Sequence, residues 1–558
     1  MTHRSEHDNK YDRQMRLWGG HGQYRLETAN ICCFGSGPSA SETLKNLVLP
    51  NVQKFTIVDD AVVTEADTGN NFFVDHDSIG QPRCQVVASL LQEMNSECKG
   101  ACGVVRSVKD VITNEIDFVD KFSLVIASCV PKEPLLRLAE HCRDKGISLL
   151  INQSYGLIGY VRLQIPEHCI VESHFDNDRA DLFLHPDQLK TFPELAEFIK
   201  SFDLSDKASF YDHSHTPYAV ILGQHMAKWQ AEHDGKAPQS YSEKSAFRKQ
   251  IEAAERKEAG GEENFAEAIK FAFKAYDRSE LEGWTHKTVH DARADISAIK
   301  SAPQTENMDF WVCCQALQRF MAQEGNGCIP CSNNIPDMTS LPEHYIALKN
   351  IYSARAERDL EAVTNHVRAV LAETGRAMAD WDFVRYFVKN CRGLRVVRTQ
   401  WLADEEDAAT FNAEEFNELF EEYRDVFSDP SVPEEERPPT PPRMAAWYFA
   451  LRTVHDFERK HGRYPGVEED ADIASDVAEL KAMQAELLSR LSVTPDTDGT
   501  ELLEELARSG GREIHNIASF VGGVTAQAAL KVITRQYVPM NNTFIYDGIF
   551  GQSAMLQP

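Results

Sequence analysis

The sequence predicts a doubly wound α/β domain with a parallel sheet, interrupted by a large, mostly helical insertion. Three observations predict it. A glycine loop joins an apolar strand to a helix near residue 35, strand and helix signals alternate over residues 1–165, and the same grammar returns at 506–558 after long helical periodicity across 166–505.

The loop reads Ile31-Cys32-Cys33-Phe34-Gly35-Ser36-Gly37-Pro38-Ser39-Ala40, and Asp59 follows nineteen residues after Ala40. A buried strand, glycines for a tight turn, helix-start amides that can hold phosphate and an acidic residue for a ribose hydroxyl make Gly35, Gly37 and Asp59 the candidate cofactor-binding residues. Two details weaken that reading. Pro38 carries no backbone N–H, and Ala40 stands at the third glycine position, where alanine is tolerated. Around the loop, 29–34, 54–59, 122–127 and 148–152 read as strands and 41–49, 85–94 and 135–145 as helices, a Rossmann-like order.

Within 166–505, helical periodicity marks 218–230, 309–324, 345–373 and 474–491. Two segments read as linkers or solvated loops: 252–264, charged and containing Gly260-Gly261, and 428–443, with its run of glutamates and prolines. At the end of the chain, 517–534 is a helix carrying Gly522-Gly523 and 543–546 a short strand. Too small to fold alone, they complete the first domain.

With 558 residues the chain has room for about three or four folding units. Its net charge of -28 argues against a nucleic-acid or anionic-membrane partner and suits a basic protein partner. The first residues are polar, without an apolar signal core, and the apolar stretch 148–161 is broken by Asn152 and Gln153, so no membrane span is expected. A cytoplasmic or nuclear chain follows as the expectation, with its 13 cysteines as reduced thiols.

The stretch Tyr11-Asp12-Arg13-Gln14-Met15-Arg16-Leu17-Trp18-Gly19 resembles a motif of the activating enzymes for ubiquitin and ubiquitin-like modifiers. Residues 42–49, Asn70-Asn71-Phe72-Phe73, Ser78-Ile79-Gly80 and 520–527 agree with it and bracket the chain. Three further stretches, 213–217, 334–338 and Gly462-Arg463-Tyr464-Pro465-Gly466-Val467, resemble the regulatory, non-catalytic subunits of the heterodimeric enzymes that activate the neddylation modifier.

The resemblance implies a ThiF/MoeB-type adenylation fold that has lost its own chemistry. Active members join a modifier's C-terminal carboxylate to AMP and pass it to a cysteine; adenylation needs Mg²⁺ on carboxylates and cations on phosphate. Here Ala61 stands where a second aspartate is expected, and Asp67-Thr68-Gly69-Asn70-Asn71 where active members have Asn-x-Asn-Arg-Gln. Arg83 replaces a lysine, and Ala127-Ser128-Cys129-Val130-Pro131 lacks the expected aspartate. None of the insertion's cysteines, Cys169, Cys313, Cys314, Cys328, Cys331 and Cys391, is followed by the threonine that accompanies the family's thioester cysteine.

The resemblance therefore assigns ATP, Mg²⁺ and the acceptor cysteine to a catalytic partner subunit, with the modifier and a conjugating enzyme as further partners. This chain binds no cofactor or metal of its own in that reading. Arg13 is the residue it would extend into the partner's ATP site, with Arg16 as a possible second cation. The loop 325–338 is implied to touch the catalytic subunit, through Gly327, Ile329, Pro330, Ile335, Pro336 and Asp337. Two other readings of the residues stay open: a self-sufficient Rossmann enzyme using a nicotinamide or flavin, and a scaffold with no part in chemistry.

Several motifs have bland readings beside the sharp ones. Cys328-Ile329-Pro330-Cys331 with Cys313-Cys314 invites zinc, but lacks a second Cys-x-x-Cys knuckle. His213-Ser214-His215 could present two imidazoles or cap a helix near Pro217. The acidic runs 404–407 and 414–422 read as solvated helix faces that could attract a basic partner.

Overall fold

The structure, a computed structural model, describes residues 10–174, 181–257, 261–277, 280–303, 305, 307–378, 380–428, 443–467, 473–495 and 499–558. Two compact units make up the chain: Met1–His168 with Val397–Pro558, and Cys169–Val396.

Ten strands are described: β1 Asn30–Phe34, β2 Lys54–Val58, β3 Gly100–Val104, β4 Leu124–Ser128, β5 Ser148–Tyr155, β6 Ile158–Gln164, β7 His168–Ile170, β8 Arg395–Val397, β9 Thr543–Asp547 and β10 Gln552–Leu556. Eight form one sheet in the order β10-β9-β6-β5-β4-β1-β2-β3, and β7 pairs with β8. The pairs among β1 to β5 are parallel, whereas β6, β9 and β10 run antiparallel. Strand order reverses between β4 and β1, so the glycine loop after β1 opens at the switch point where such sheets hold ligands.

The N-terminal helices are α1 Asp12–Thr28, kinked at Gly19, α2 Pro38–Val48, α3 Arg83–Met94, α4 Val108–Asn114 and α5 Lys132–Lys145. β3 escaped the sequence reading for a physical reason. Gly100-Ala101-Cys102-Gly103 has none of the β-branched bulk that marks a strand. The bareness is required at Gly103, where a Cβ would stand 2.6 Å from the Cys84 carbonyl oxygen of α3.

The second unit is helical: α6 Pro186–Leu189, α7 Pro193–Lys200, α8 Phe210–Ser214, α9 Tyr218–Glu232, α10 Tyr241–Glu252, α11 Glu263–Lys270, α12 Glu280–Val289, α13 Ile296–Ser301, α14 Met308–Ala322, α15 Pro342–Thr374 and α16 Asp382–Asn390. Among the described residues it shows two apolar cores, and the 33-residue α15 serves both, giving Leu348 and Tyr352 to one and Val363, Val367 and Val370 to the other. The segment 252–264 is not a solvated linker throughout. Glu262 and Asn264 are buried at the start of α11, because their polar groups find partners on α8, described below. The expected linker at 428–443 lies, from 429 to 442, outside the described residues.

The chain rejoins the first unit at Val397 rather than near 506. Helices α17 Ala413–Ser428, α18 Arg443–His461, α19 Ile473–Arg490 and α20 Thr500–Ser509 share one core with Tyr155, Ile158, Ile545 and Leu556 of the sheet. Helical periodicity shows that a face is apolar, not which partner covers it, so the boundary was hidden. The run 404–407 is likewise not a solvated face. Glu405 is 2% exposed and pairs with the fully buried Arg162, while the Tyr448 hydroxyl donates to it at 2.8 Å. Beside it, Glu406 meets Lys132 at 2.9 Å and Arg452 at 3.2 Å. Removing one member of so buried a set costs about 3–5 kcal/mol, since it strands the other charge.

The last helix, α21 His515–Thr534, is long and apolar enough by composition to cross a membrane, with mean hydropathy 1.4. It is a core helix here, with Gly522, Thr525 and Ala529 buried. Close packing on α2 sets its small residues. A Cβ on Gly522 would stand 2.7 Å from Glu42 Cβ and 2.9 Å from the Thr43 amide nitrogen, whereas one on Gly523 would meet nothing within 4 Å. Gly522→Ala is expected to destabilise the chain by about 1–3 kcal/mol through overpacking. Gly523→Ala is expected to be neutral or to stabilise by up to about 1 kcal/mol through helix propensity. Thermal unfolding of the two variants checks the contrast; equal effects would contradict the packing.

Candidate functional site

The site forms around the glycine loop between β1 and α2. Gly35 has φ +92°, and a Cβ there would lie 2.7 Å from the Ser128 carbonyl oxygen, so only glycine fits. Pro38 occupies the first turn of α2, where an N–H has no helical partner in any case. Its missing donor therefore costs the loop less than the sequence suggested.

Asp59, the candidate ribose ligand, is 6% exposed and already engaged. Its Oδ2 accepts from the Ser36 amide at 3.0 Å, the Ser36 hydroxyl and Arg83 Nη2 at 3.0 Å, and its Oδ1 from the Ala61 amide at 3.0 Å. Arg83 also reaches Asp67 Oδ1 at 2.8 Å and Ser36 Oγ at 3.0 Å. Burial pushes the Asp59 carboxyl up, but the Arg83 charge, the Ser36 hydroxyl and the Ala61 amide outweigh it and hold the group below its usual value. Asp67 behaves alike: burial opposes, and the Thr64 hydroxyl and amide with Arg83 prevail. The guanidinium standing in for a lysine is thus spent on two carboxylates of its own chain.

A third carboxylate, from the far end of the sequence, sits at the start of α2. Glu513 Oε1 accepts from the Ser39 amide at 3.2 Å, the Ser39 hydroxyl at 2.5 Å and the Ser154 hydroxyl at 2.9 Å. The degenerate element Gly69-Asn70-Asn71 helps to hold this arrangement. Asn70 Nδ2 donates to the Glu513 carbonyl at 3.0 Å, His515 Nδ1 lies 3.0 Å from the Asn70 carbonyl oxygen, and Asn71 Nδ2 donates to the Ser36 carbonyl at 3.1 Å. Sequence reasoning missed Glu513. Its signals, Gly510-Gly511 before it and a helix start after it, are local, whereas its contacts are 474 and 359 residues away.

Arg13 and Arg16 lie on exposed positions of α1. Tyr11, 1% exposed, anchors this helix: its hydroxyl and the Asn95 side chain are 3.1 Å apart, and Asn95 Nδ2 donates to the Val48 carbonyl at 2.8 Å. Arg16 pairs with Asp12 at 2.9 Å. The Arg13 side chain makes no hydrogen bond or ion pair with another described residue.

The loop 325–338 belongs to the second unit and is divided. Ile329 is 2% exposed, inside one of that unit's cores, and Pro330 is buried with it, which spends these two residues internally. The Cys331 amide donates to Asp359 Oδ2 at 2.9 Å while Arg355 holds Oδ1 at 2.8 Å. Gly327 and Asp337 are exposed, Ile335 and Pro336 half-buried.

The insertion's six cysteines are buried, and Cys331 belongs to a different core from Cys313 and Cys314. Burial pushes the Cys331 and Cys391 thiols up to about 12, so they stay protonated and poor as nucleophiles or ligands. The His213-Ser214-His215 stretch neither pairs its imidazoles nor caps α9, which has Pro217 before it. His213 Nδ1 meets Glu262 Oε1 at 2.7 Å and its ring stacks on Phe265, while Asn264 Nδ2 donates to the His213 carbonyl at 2.8 Å. His215 Nδ1 turns to the Tyr211 carbonyl oxygen at 2.8 Å. Among the described residues, the one carboxylate–imidazole group close enough to share an ion is Asp117, Asp120 and His141, and Lys145 Nζ already lies 2.5 Å from Asp120.

The sheet order, the loop at its switch point and the altered ligand positions define an adenylation-type α/β domain whose chemical groups are turned inward. A family model described as "ThiF family" matches residues 11–558, and the chain belongs to that family. It is 38% identical over 557 residues to the NEDD8-activating enzyme E1 regulatory subunit of Xenopus laevis, covering 99% of this chain and 98% of that one. It is 35% identical over 561 residues to the NEDD8-activating enzyme E1 regulatory subunit AXR1 of Arabidopsis thaliana, covering 99% and 96%. With the Drosophila melanogaster Nedd8-activating enzyme E1 regulatory subunit it shares 34% identity over 560 residues, covering 99% and 98%.

The lowered Asp59 and Asp67 carboxyls contribute stability that is present above the ordinary carboxylate value of about 4 and lost as pH falls through their lowered values. Arg83→Ala removes the charge that holds both down. The variant is expected to lose about 3 kcal/mol at neutral pH, and the deficit to shrink below about pH 5 as the two released carboxyls take up protons. Urea unfolding at neutral and mildly acid pH measures it; a deficit independent of pH would contradict the ion-pair account.

Proposed function

We propose that this chain is the regulatory subunit of a heterodimeric activating enzyme for the ubiquitin-like modifier NEDD8, inactive alone and working with a catalytic partner. The near-full-length similarity to regulatory subunits of that enzyme carries the reading. The site agrees with it. Asp59 and Arg83, the groups with which an active member would address nucleotide, satisfy each other.

In this reading ATP and Mg²⁺ bind in the catalytic subunit, which also carries the acceptor cysteine, and the conjugating enzyme is reached through the complex in the cytoplasm or nucleus. The contribution of this chain is dimer surface and Arg13. A planar, permanently charged guanidinium at an exposed helix position, paired with no other described residue, is suited to reach phosphate across an interface. The partner-facing part of the 325–338 loop is its exposed side, Gly327, Ile335, Pro336 and Asp337; Ile329 and Pro330 support it from within.

Modifier-dependent ATP–pyrophosphate exchange by this chain, by its catalytic partner and by both together tests the reading; exchange by this chain alone would overturn it. Arg13→Ala in the assembled enzyme is expected to slow AMP formation roughly 10- to 100-fold, the worth of a charged hydrogen bond to phosphate, with assembly unchanged by size-exclusion chromatography. Unaltered adenylation kinetics would remove the role of Arg13. Replacing residues 333–337 by a short glycine linker is expected to weaken assembly, and undiminished assembly would exclude the loop as an interface.

A further inference from the structure

We propose that Glu513 is the resident ligand of the degenerate phosphate loop: the chain fills its own anion cradle with this carboxylate, and the cradle takes phosphate-type anions only when Glu513 is removed. The proposal concerns this chain by itself and holds whichever modifier or partner it serves.

The cradle is intact as an anion site. The N-terminus of the 11-residue α2 carries the partial positive charge of its unpaired amides. Two hydroxyls converge beside it, from Ser39 and Ser154, both 0% exposed, and lie 3.1 Å from each other. One amide and two hydroxyls meet on Glu513 Oε1. Its other oxygen fills the space over Gly37, where a Cβ would come within 2.5 Å of Oε2 and near no other atom closer than the same carboxyl's carbon at 3.7 Å. Gly37 has φ -69°, a value any residue adopts. The room that its missing side chain leaves is therefore taken up by a carboxylate.

The carboxylate is delivered by a built strap rather than a wandering side chain. The Gly156 amide donates to the Arg512 carbonyl at 2.8 Å, Asn70 Nδ2 donates to the Glu513 carbonyl at 3.0 Å, and His515 Nδ1 lies 3.0 Å from the Asn70 carbonyl oxygen. The strap's other end rests on the Gly462–Val467 stretch. Gly511, with φ +71°, lies under the Tyr464 ring, which a Cβ would meet at 2.5 Å. That stretch is itself fixed by Arg463 and the Gly466 amide, which both donate to Asp476 at 2.8 Å. A carboxylate tied into the fold pre-empts a dissolved anion, because its effective concentration is high and its ordering cost is met on folding.

The full-length chain is tested with inorganic pyrophosphate as the probe and chloride at matched ionic strength as the control. The wild-type unfolding temperature is expected to be the same in both. Glu513→Ala is expected to unfold about 5 °C lower in chloride and to regain most of that loss in pyrophosphate, by binding to the vacated cradle. Glu513→Gln keeps the length without the charge and is expected to respond in the same direction by less, which preserves the test should the alanine variant not fold. A second arm is a double-mutant cycle with Gly37→Ala. That change expels the wild-type carboxylate and is expected to destabilise, yet to cost little once Glu513 is alanine; glutamine, with the same length, is expected to keep the clash. Pyrophosphate moving wild type and variants alike, or moving none of them, overturns the proposal, as do additive losses in the cycle.

Discussion

The antiparallel pairing of β6 with β9, with Arg162 opposite Thr543 and Ile158 opposite Asp547, is the contact on which the first unit depends. Through it, a segment from the end of the chain becomes the continuation of a sheet begun at residue 30. α21 is thereby laid on α2, and the strap before α21 is laid across the glycine loop. The Arg162 side chain on β6 extends the same connection into the helical layer by pairing with Glu405. Sheet closure, loop and helical layer are thus consequences of one register, and a slip by one residue would turn Arg162 out of its buried partner set.

The site shows how an adenylation fold is emptied without being unfolded. Ala61 and Asn70, at the positions where the resemblance expects an aspartate and an arginine, carry no charge. Left alone, the remaining groups would be buried and unpaired, which is costly. Asp59 is therefore matched by Arg83, and the amides and hydroxyls at the start of α2 by Glu513. Loss of chemistry and retention of stability are two sides of the same rearrangement.

Much of this was legible in the sequence. The apolar runs of β1, β2, β4 and β5, flanked by turn residues and amphipathic helices, announce a parallel sheet because burial on both faces demands such runs. The family blocks single out Ala61, Asn70 and Arg83 and, as an expectation, Arg13. What stayed hidden was tertiary. Gly103 disguises β3, since a strand pressed against α3 must be bare. Glu262 and Glu405 look solvated because charge in a sequence does not reveal a buried partner, and both partners, His213 and Arg162, are far along the chain. Ile329 and Pro330, in a loop rich in turn residues, turn out to serve their own core. Glu513 lay beyond any local pattern for the same reason as the boundary at Val397: both are decided by what the end of the chain packs upon.

The discontinuity of the first unit also has a consequence for how the protein is made. A ribosome adding about 5–20 residues each second needs on the order of half a minute to pass from β6 to β9. Through that interval β6 is an open edge strand, and the apolar faces destined for α18 and α21 stay uncovered until those helices are made. An unpaired edge beside exposed apolar surface invites pairing with other chains, so the nascent N-terminal half requires shelter that the finished protein does not. The second unit, contiguous from Cys169 to Val396, is free of that wait, because every residue of it is made before β9.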